Sequence, residues 1–257
     1  MKTALITGAS SGIGEETARR LDRDGWRLLL VARRADRLEA LAATLRDAYT
    51  LPLDLTAPDA PERADAAVQE RFGRLDLLVN NAGSAWRAAF GDPDGGFENV
   101  RRTMELNFDA VLRLTEALLP VLRRSAPSAI VNLGSVSGRV ALPRAGAYSA
   151  SKFALAGWSE ALHLEEREHG VHVGLVQPGF VATEGFPQSD LTARPATRWM
   201  VSTPERVAEA VVDAGPGGKA ERWVPRPYAA VWPLRVAAPA LWRRIGGSMR
   251  RETLGPE

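Results

Sequence analysis

The chain contains no cysteine, which excludes disulfides and thiolate metal centres and fits a reducing compartment. A cytoplasmic location is the expectation. Histidine is nearly absent as well. His163, His169 and His172 have no partner at ligand spacing, so no metal is expected; His163 and His169 lie near the end of one helix, where surface positions are expected. No run of eighteen apolar residues occurs, so no spanning helix is expected. The N-terminal apolar stretch meets Gly8 too early for the core of a signal peptide. No basic block stands out against a net charge of +2, so nucleic acid is not an expected partner. Internal repeats and low-complexity segments are lacking too. The scarcest charged residue is lysine: of 33 basic residues, only Lys2, Lys152 and Lys219 are lysine.

What is present is ample for one large core: 257 residues, 45% hydrophobic and 25% charged. One of the three lysines stands in Tyr148-Ser149-Ala150-Ser151-Lys152. On a helix, Tyr148 and Lys152 leave the same face one turn apart. An ammonium beside a phenol favours the phenolate, and a phenol whose pKa falls from about 10 becomes a usable proton donor and acceptor. Lysine is the compact, tunable cation for that task; arginine is not interchangeable with it. Ser135 stands upstream, just past the apolar run Ala129-Ile130-Val131-Asn132-Leu133, which reads as a buried strand. That places Ser135 at a carboxyl strand end, where open α/β sheets bind ligands.

Taken in order, residues 3–7 read as a strand that runs into Thr7-Gly8-Ala9-Ser10-Ser11-Gly12-Ile13-Gly14 and then a helix over 15–24. Strand, glycine-rich turn and helix together make a pyrophosphate cradle: the glycines admit a close approach, and the helix N-terminus supplies N–H groups and a positive dipole end. A second strand, 26–32, is followed by Arg33-Arg34 where an NAD site usually carries an acid. A guanidinium fork suits a 2′-phosphate instead, so NADP(H) is expected over NAD(H). Helix 37–46, a strand ending at Asp54-Leu55, helix 60–72 and strand 75–79 follow, with Asn80-Asn81-Ala82-Gly83 at the end of that strand. Asp54 is suited either to an adenine amine or to capping the next turn. The asparagine amides are placed to tie neighbouring strands. Asn107 interrupts a long helical stretch, 97–122, where asparagine is a poor helix former; it is either a buried structural amide or a local opening that holds water. Helix 148–169, strand 171–176 ending in Gln177-Pro178-Gly179, a lid-like segment 180–202, helix 204–214 and strand 222–224 complete the alternation. Such alternation means parallel βαβ units and an α/β fold.

Together these residues resemble the short-chain dehydrogenase/reductase family, in its shorter single-domain subtype. The match covers about 3–224 through six motifs in order: the glycine turn, Asn80-Asn81-Ala82-Gly83, Asn107, Ser135, Tyr148/Lys152 and Pro178-Gly179. The spacing Thr-Gly-x-x-x-Gly-x-Gly argues against a nucleotide-sugar epimerase. The resemblance implies a Rossmann-type doubly wound parallel sheet forming a single domain over 1–257, with a variable C-terminal extension, 225–257. It implies hydride transfer between NADP(H) and a carbonyl or secondary alcohol. Tyr148 is then the general acid/base, Ser135 the partner of the carbonyl oxygen, Lys152 the residue that lowers the Tyr148 pKa and bonds the nicotinamide ribose, and Asn107 the holder of a water that links Lys152 to solvent. The implied cofactor contacts are Gly8, Ser10, Ser11, Gly12, Ile13, Gly14, Arg33, Arg34, Asp54, Leu55, Asn81, Ala82, Gly83, Tyr148, Lys152, Pro178, Gly179, Val181 and Thr183. A homodimer is implied, with a tetramer as the second option. A catalytically silent NADP(H)-binding sensor is the competing function.

Trp86, Val140, Leu142, Phe180, Phe186 and Trp199 lie in segments that should border the pocket and suggest an apolar, bulky substrate. Arg139 and Arg144 are placed to meet an acidic group or water. The extension carries Trp232, Trp242 and five prolines among arginines. It has three readings: a cover over the pocket, a subunit contact, or a segment lying on a membrane surface.

Overall fold

Strand residues alternate between two hydrophobic layers, and this alternation sets the architecture. In the computed structural model, which describes residues 1–184, 188–193, 195 and 197–248, nine strands and ten α-helices are found among those residues. The strands are β1 Thr3–Thr7, β2 Arg27–Ala32, β3 Ala48–Pro52, β4 Leu77–Asn80, β5 Ser128–Leu133, β6 Val171–Pro178, β7 Phe180–Val181, β8 Val201–Ser202 and β9 Glu221–Val224. The helices are α1 Gly12–Arg23, α2 Ala35–Ala42, α3 Ala60–Arg71, α4 Gly96–Met104, α5 Ala110–Arg124, α6 Gly146–Glu166, α7 Ser189–Ala193, α8 Pro204–Ala214, α9 Val231–Ala237 and α10 Pro239–Ser248. Ala4, Ile6, Leu28, Leu30, Val79 and Val131 face one layer, with Leu21 of α1 and Val211 of α8. Leu5, Leu29, Val31, Leu78 and Ile130 face the other, with Val68 of α3 and Leu118 of α5. Both faces of the sheet are thus covered, as a parallel sheet requires.

The main sheet has the order β3-β2-β1-β4-β5-β6-β9, all parallel. The chain reverses its direction of winding between β1 and β4, so the carboxyl ends of those two strands open a crevice. This is the doubly wound Rossmann-type fold in one domain.

Three details differ from the sequence reading. Helix α2 starts at Ala35 and stops at Ala42, because residues 43–46 tighten into a turn whose Arg46 N–H is held by Asp22 Oδ1 at 2.8 Å. The long helix expected over 97–122 is interrupted by a π-turn at Glu105–Asp109, centred on Asn107. His163, expected at the surface, is half-buried and packs against His172. His163 Nδ1 lies 2.9 Å from the Val173 carbonyl, His172 Nε2 lies 2.9 Å from the Ala214 carbonyl, and the two rings meet edge to face at 5.4 Å. A carbonyl only accepts, so each ring donates there. Among the described residues no cluster of three metal-ligating side chains occurs, and no helix is long and apolar enough to cross a membrane.

Candidate active site

The crevice begins at the glycine turn. Gly8 (φ +67°) and Gly12 (φ +57°) occupy the left-handed region that L side chains avoid. A Cβ on Gly8 would stand 2.8 Å from Asn81 Nδ2, and one on Gly12 would stand 3.2 Å from the Thr183 methyl. The Thr183 methyl thus packs against Gly12. Gly14 packs beneath the turn, where a Cβ would lie 2.3 Å from the Gly8 carbonyl oxygen, and does not line the cavity. The switch point is fastened by side chains. Asn81 Nδ2 donates to the Thr7 carbonyl at 2.8 Å, and Thr7 Oγ1 accepts the N–H groups of Asn81 and Ala82 at 2.9 and 3.0 Å. Asn80 Nδ2 donates to Asn132 Oδ1 at 2.9 Å and so ties β4 to β5.

At the outer end of the turn, Arg34 Nη2 donates to Ser10 Oγ at 3.0 Å and Ser11 Oγ at 2.9 Å. The Arg34 guanidinium is thereby held over the turn, and Arg33 is exposed beside it. Asp54 lines the same end and caps its own turn, accepting the Thr56 N–H at 3.0 Å and the Thr56 hydroxyl at 2.7 Å. Those two bonds hold its carboxyl below the usual range. Glu184 pairs with Arg37 at 2.6 Å near this rim.

The other end is assembled from β5, α6 and the loop after β4. Ser135 follows β5 in extended conformation, its N–H donated to Gln177 Oε1 at 2.8 Å. The turn that follows can lie against α6 because Gly138 has no side chain: a Cβ there would be 2.6 Å from the Lys152 carbonyl oxygen. Ser135, Tyr148 and Lys152 thus meet in one wall. Lys152 is buried, and its ammonium donates to the Leu133 carbonyl at 2.7 Å. Desolvation lowers its pKa to about 8. Burial pushes the Tyr148 phenol up, while the Ser135 hydroxyl and then the Arg87 guanidinium pull it down. Lys152 Nζ stands 5.9 Å from the phenol ring centroid and donates to the Leu133 carbonyl.

Asn107 stays out of the cavity wall and is fully buried. Its Oδ1 accepts the Ser84 N–H at 2.9 Å, and its Nδ2 donates to the Ser84 carbonyl at 2.9 Å and Ser151 Oγ at 3.1 Å. The amide clamps the loop after β4 onto α6, and the widened π-turn is what lets it reach.

These two ends belong to one cavity of about 690 Å³. With Gly14 and Asn107 excepted, every residue expected to contact cofactor or substrate oxygen lines it: Gly8, Ser10, Ser11, Gly12, Ile13, Arg33, Arg34, Asp54, Leu55, Asn81, Ala82, Gly83, Ser135, Tyr148, Lys152, Pro178, Gly179, Val181 and Thr183. Of the expected apolar border, Leu142 and Phe180 line it. Val140 is core, Trp86 packs under Arg102 at 5.1 Å, and Trp199 stands 6.1 Å from the Tyr228 ring outside the wall. Phe186 lies outside the described residues. Arg139 pairs with Glu221 and Arg144 with Asp92, each at 3.1 Å, rather than facing the pocket.

Sequence reasoning missed Arg87, Gln177 and Tyr228. Arg87 lines the substrate end, where desolvation holds its pKa below the ordinary range. Tyr228, from the C-terminal extension, is buried, lines the cavity, donates to the Met200 carbonyl at 3.1 Å and lies against Gly179, where a Cβ would overlap its ring at 2.2 Å. Gln177 was visible as a polar residue at an apolar strand end; the other two carry no local signal.

Fold and site define a dinucleotide-binding protein of the doubly wound class. The short chain dehydrogenase family model matches residues 2–193. The chain is 32% identical to dehydrogenase/reductase SDR family member 7B of Bos taurus, over 96% of this chain and 81% of that one. It is 38% identical to serine 3-dehydrogenase of Agrobacterium fabrum, over 71% and 73%. The structure of the RhlG/NADP active-site complex of Pseudomonas aeruginosa superposes with a TM-score of 0.75 at 32% identity, covering 86% of this chain and 93% of that chain. The chain belongs to the short-chain dehydrogenase/reductase family. It is a nicotinamide-dependent oxidoreductase acting on CH–OH or carbonyl groups.

Proposed function

We propose that this chain is an NADP(H)-dependent carbonyl reductase and secondary-alcohol dehydrogenase in which Tyr148 is the general acid/base. The carrying observation is that one cavity joins the side-chain-free cradle at Gly8 and Gly12 to Ser135, Tyr148 and Lys152. The residues fit the cofactor: Gly8 and Gly12 leave the turn free of side chains where a pyrophosphate would lie, and Arg33 and Arg34 stand at its outer end, suited to a 2′-phosphate. Bound there, NADP(H) supplies or accepts the hydride. Tyr148 donates its hydroxyl proton to the carbonyl oxygen in reduction and withdraws it in oxidation. Ser135, its backbone fixed by Gln177, aims its hydroxyl at the same oxygen and stabilises the charge developing there. Arg87 favours the phenolate formed when the proton leaves. Lys152, buried beside Tyr148, presents a second donor to the ribose and a proton reserve near pH 8.

The test is NADPH absorbance with a panel of aliphatic and aryl ketones and aldehydes. Consumption with at least one is expected. NADPH binding without consumption across the panel would instead identify a silent sensor on the same fold.

A further inference from the structure

Charge is distributed unevenly along this chain. Residues 222–251 hold seven arginines and no acidic residue, leaving 26 basic against 31 acidic residues elsewhere. A body of net negative sign therefore carries one strongly basic segment. That segment also exposes large apolar side chains: Leu234 is 40% exposed, Val236 59% and Leu241 49%. Arg226, Arg243 and Arg244 are exposed on the same stretch. The inner side of α9 is anchored, with Arg235 over the Phe153 ring at 5.2 Å and Arg139 over the Trp232 ring at 5.6 Å. Aliphatic side chains facing water among exposed arginines suit the headgroup layer of an anionic bilayer. The helices are too short to span one: α9 has 7 residues and α10 has 10.

We propose that residues 226–248 dock the protein peripherally on an anionic phospholipid surface, the apolar side chains entering the headgroup layer and the arginines meeting lipid phosphates. A second copy of the chain is the poorer occupant, because a two-fold contact would set these arginines against themselves. The docking face adjoins the cavity, since Tyr228 lies at the start of the same segment and forms part of the cavity wall. Docking would thus bring the substrate entrance close to the bilayer.

The experiment is flotation of the full chain with vesicles of phosphatidylcholine, with and without phosphatidylglycerol. Flotation is expected only with phosphatidylglycerol, and it should weaken as salt rises. R243E/R244E should partition at least about thirty-fold more weakly. L241S should weaken binding as well, and NADPH titration by fluorescence should be unchanged in both variants. Absence of flotation with phosphatidylglycerol, equal flotation on neutral vesicles, or a dimer that L241S dissociates while flotation persists would overturn the proposal.

Discussion

The two ends of the cavity are made of different material. The cradle end is mostly backbone: one strand end, a glycine turn and the first turn of α1, contiguous in sequence and fixed by φ angles and missing Cβ atoms. The far end is made of side chains brought together from β5, α6, the loop after β4 and the C-terminal extension. An end built from backbone tolerates little change and is general for its ligand. An end built from distant side chains can be retuned one residue at a time.

That contrast is sharpened by four substitutions, in order of expected effect. Gly14→Ala puts a Cβ 2.3 Å from a carbonyl oxygen and 2.6 Å from Asn81 Nδ2. It should cost about 4 kcal/mol or more, read by thermal denaturation. Lys152→Met tests the buried amine through pH. In the native state the amine loses its proton at about pH 8, whereas in the unfolded chain it keeps it to 10.5. Between those values the unfolded state binds more protons, so stability rises with pH, by about 3 kcal/mol in all. Denaturation midpoints across pH 7–11 should show that rise in the native sequence and lack it in the variant. Arg34→Ala should weaken NADPH about ten- to a hundred-fold and NADH far less, measured by fluorescence titration of both. Gly179→Ala should displace Tyr228, raising KM for the carbonyl several-fold while NADPH affinity moves less. An equal effect of Gly179→Ala on NADPH and carbonyl would erase the distinction between the two ends.

Much of this was legible because it is local. Strand 3–7, the glycine turn and helix 204–214 are set by neighbouring residues, and the structure places them where the pattern did. Asn107 announced itself as a poor helix former in mid-helix, and the π-turn explains its presence there. What failed was longer in range. The turn motif could not separate glycines that line a cavity from Gly14, which lets α1 rest on β1. Arg139 and Arg144 found partners at Glu221 and Asp92, 82 and 52 positions away, which no window of local sequence contains. Arg87 and Tyr228 reach the site through a loop and an extension whose paths are set by tertiary packing.

The central claim is that the cradle end binds while the side-chain end transfers the proton. Tyr148→Phe separates these most directly, by paired NADPH titration and steady-state turnover on a carbonyl that the native enzyme reduces. NADPH affinity within about two-fold of native and turnover lower by about a thousand-fold are expected. Turnover that survives the loss of this hydroxyl, with binding intact, would contradict the account.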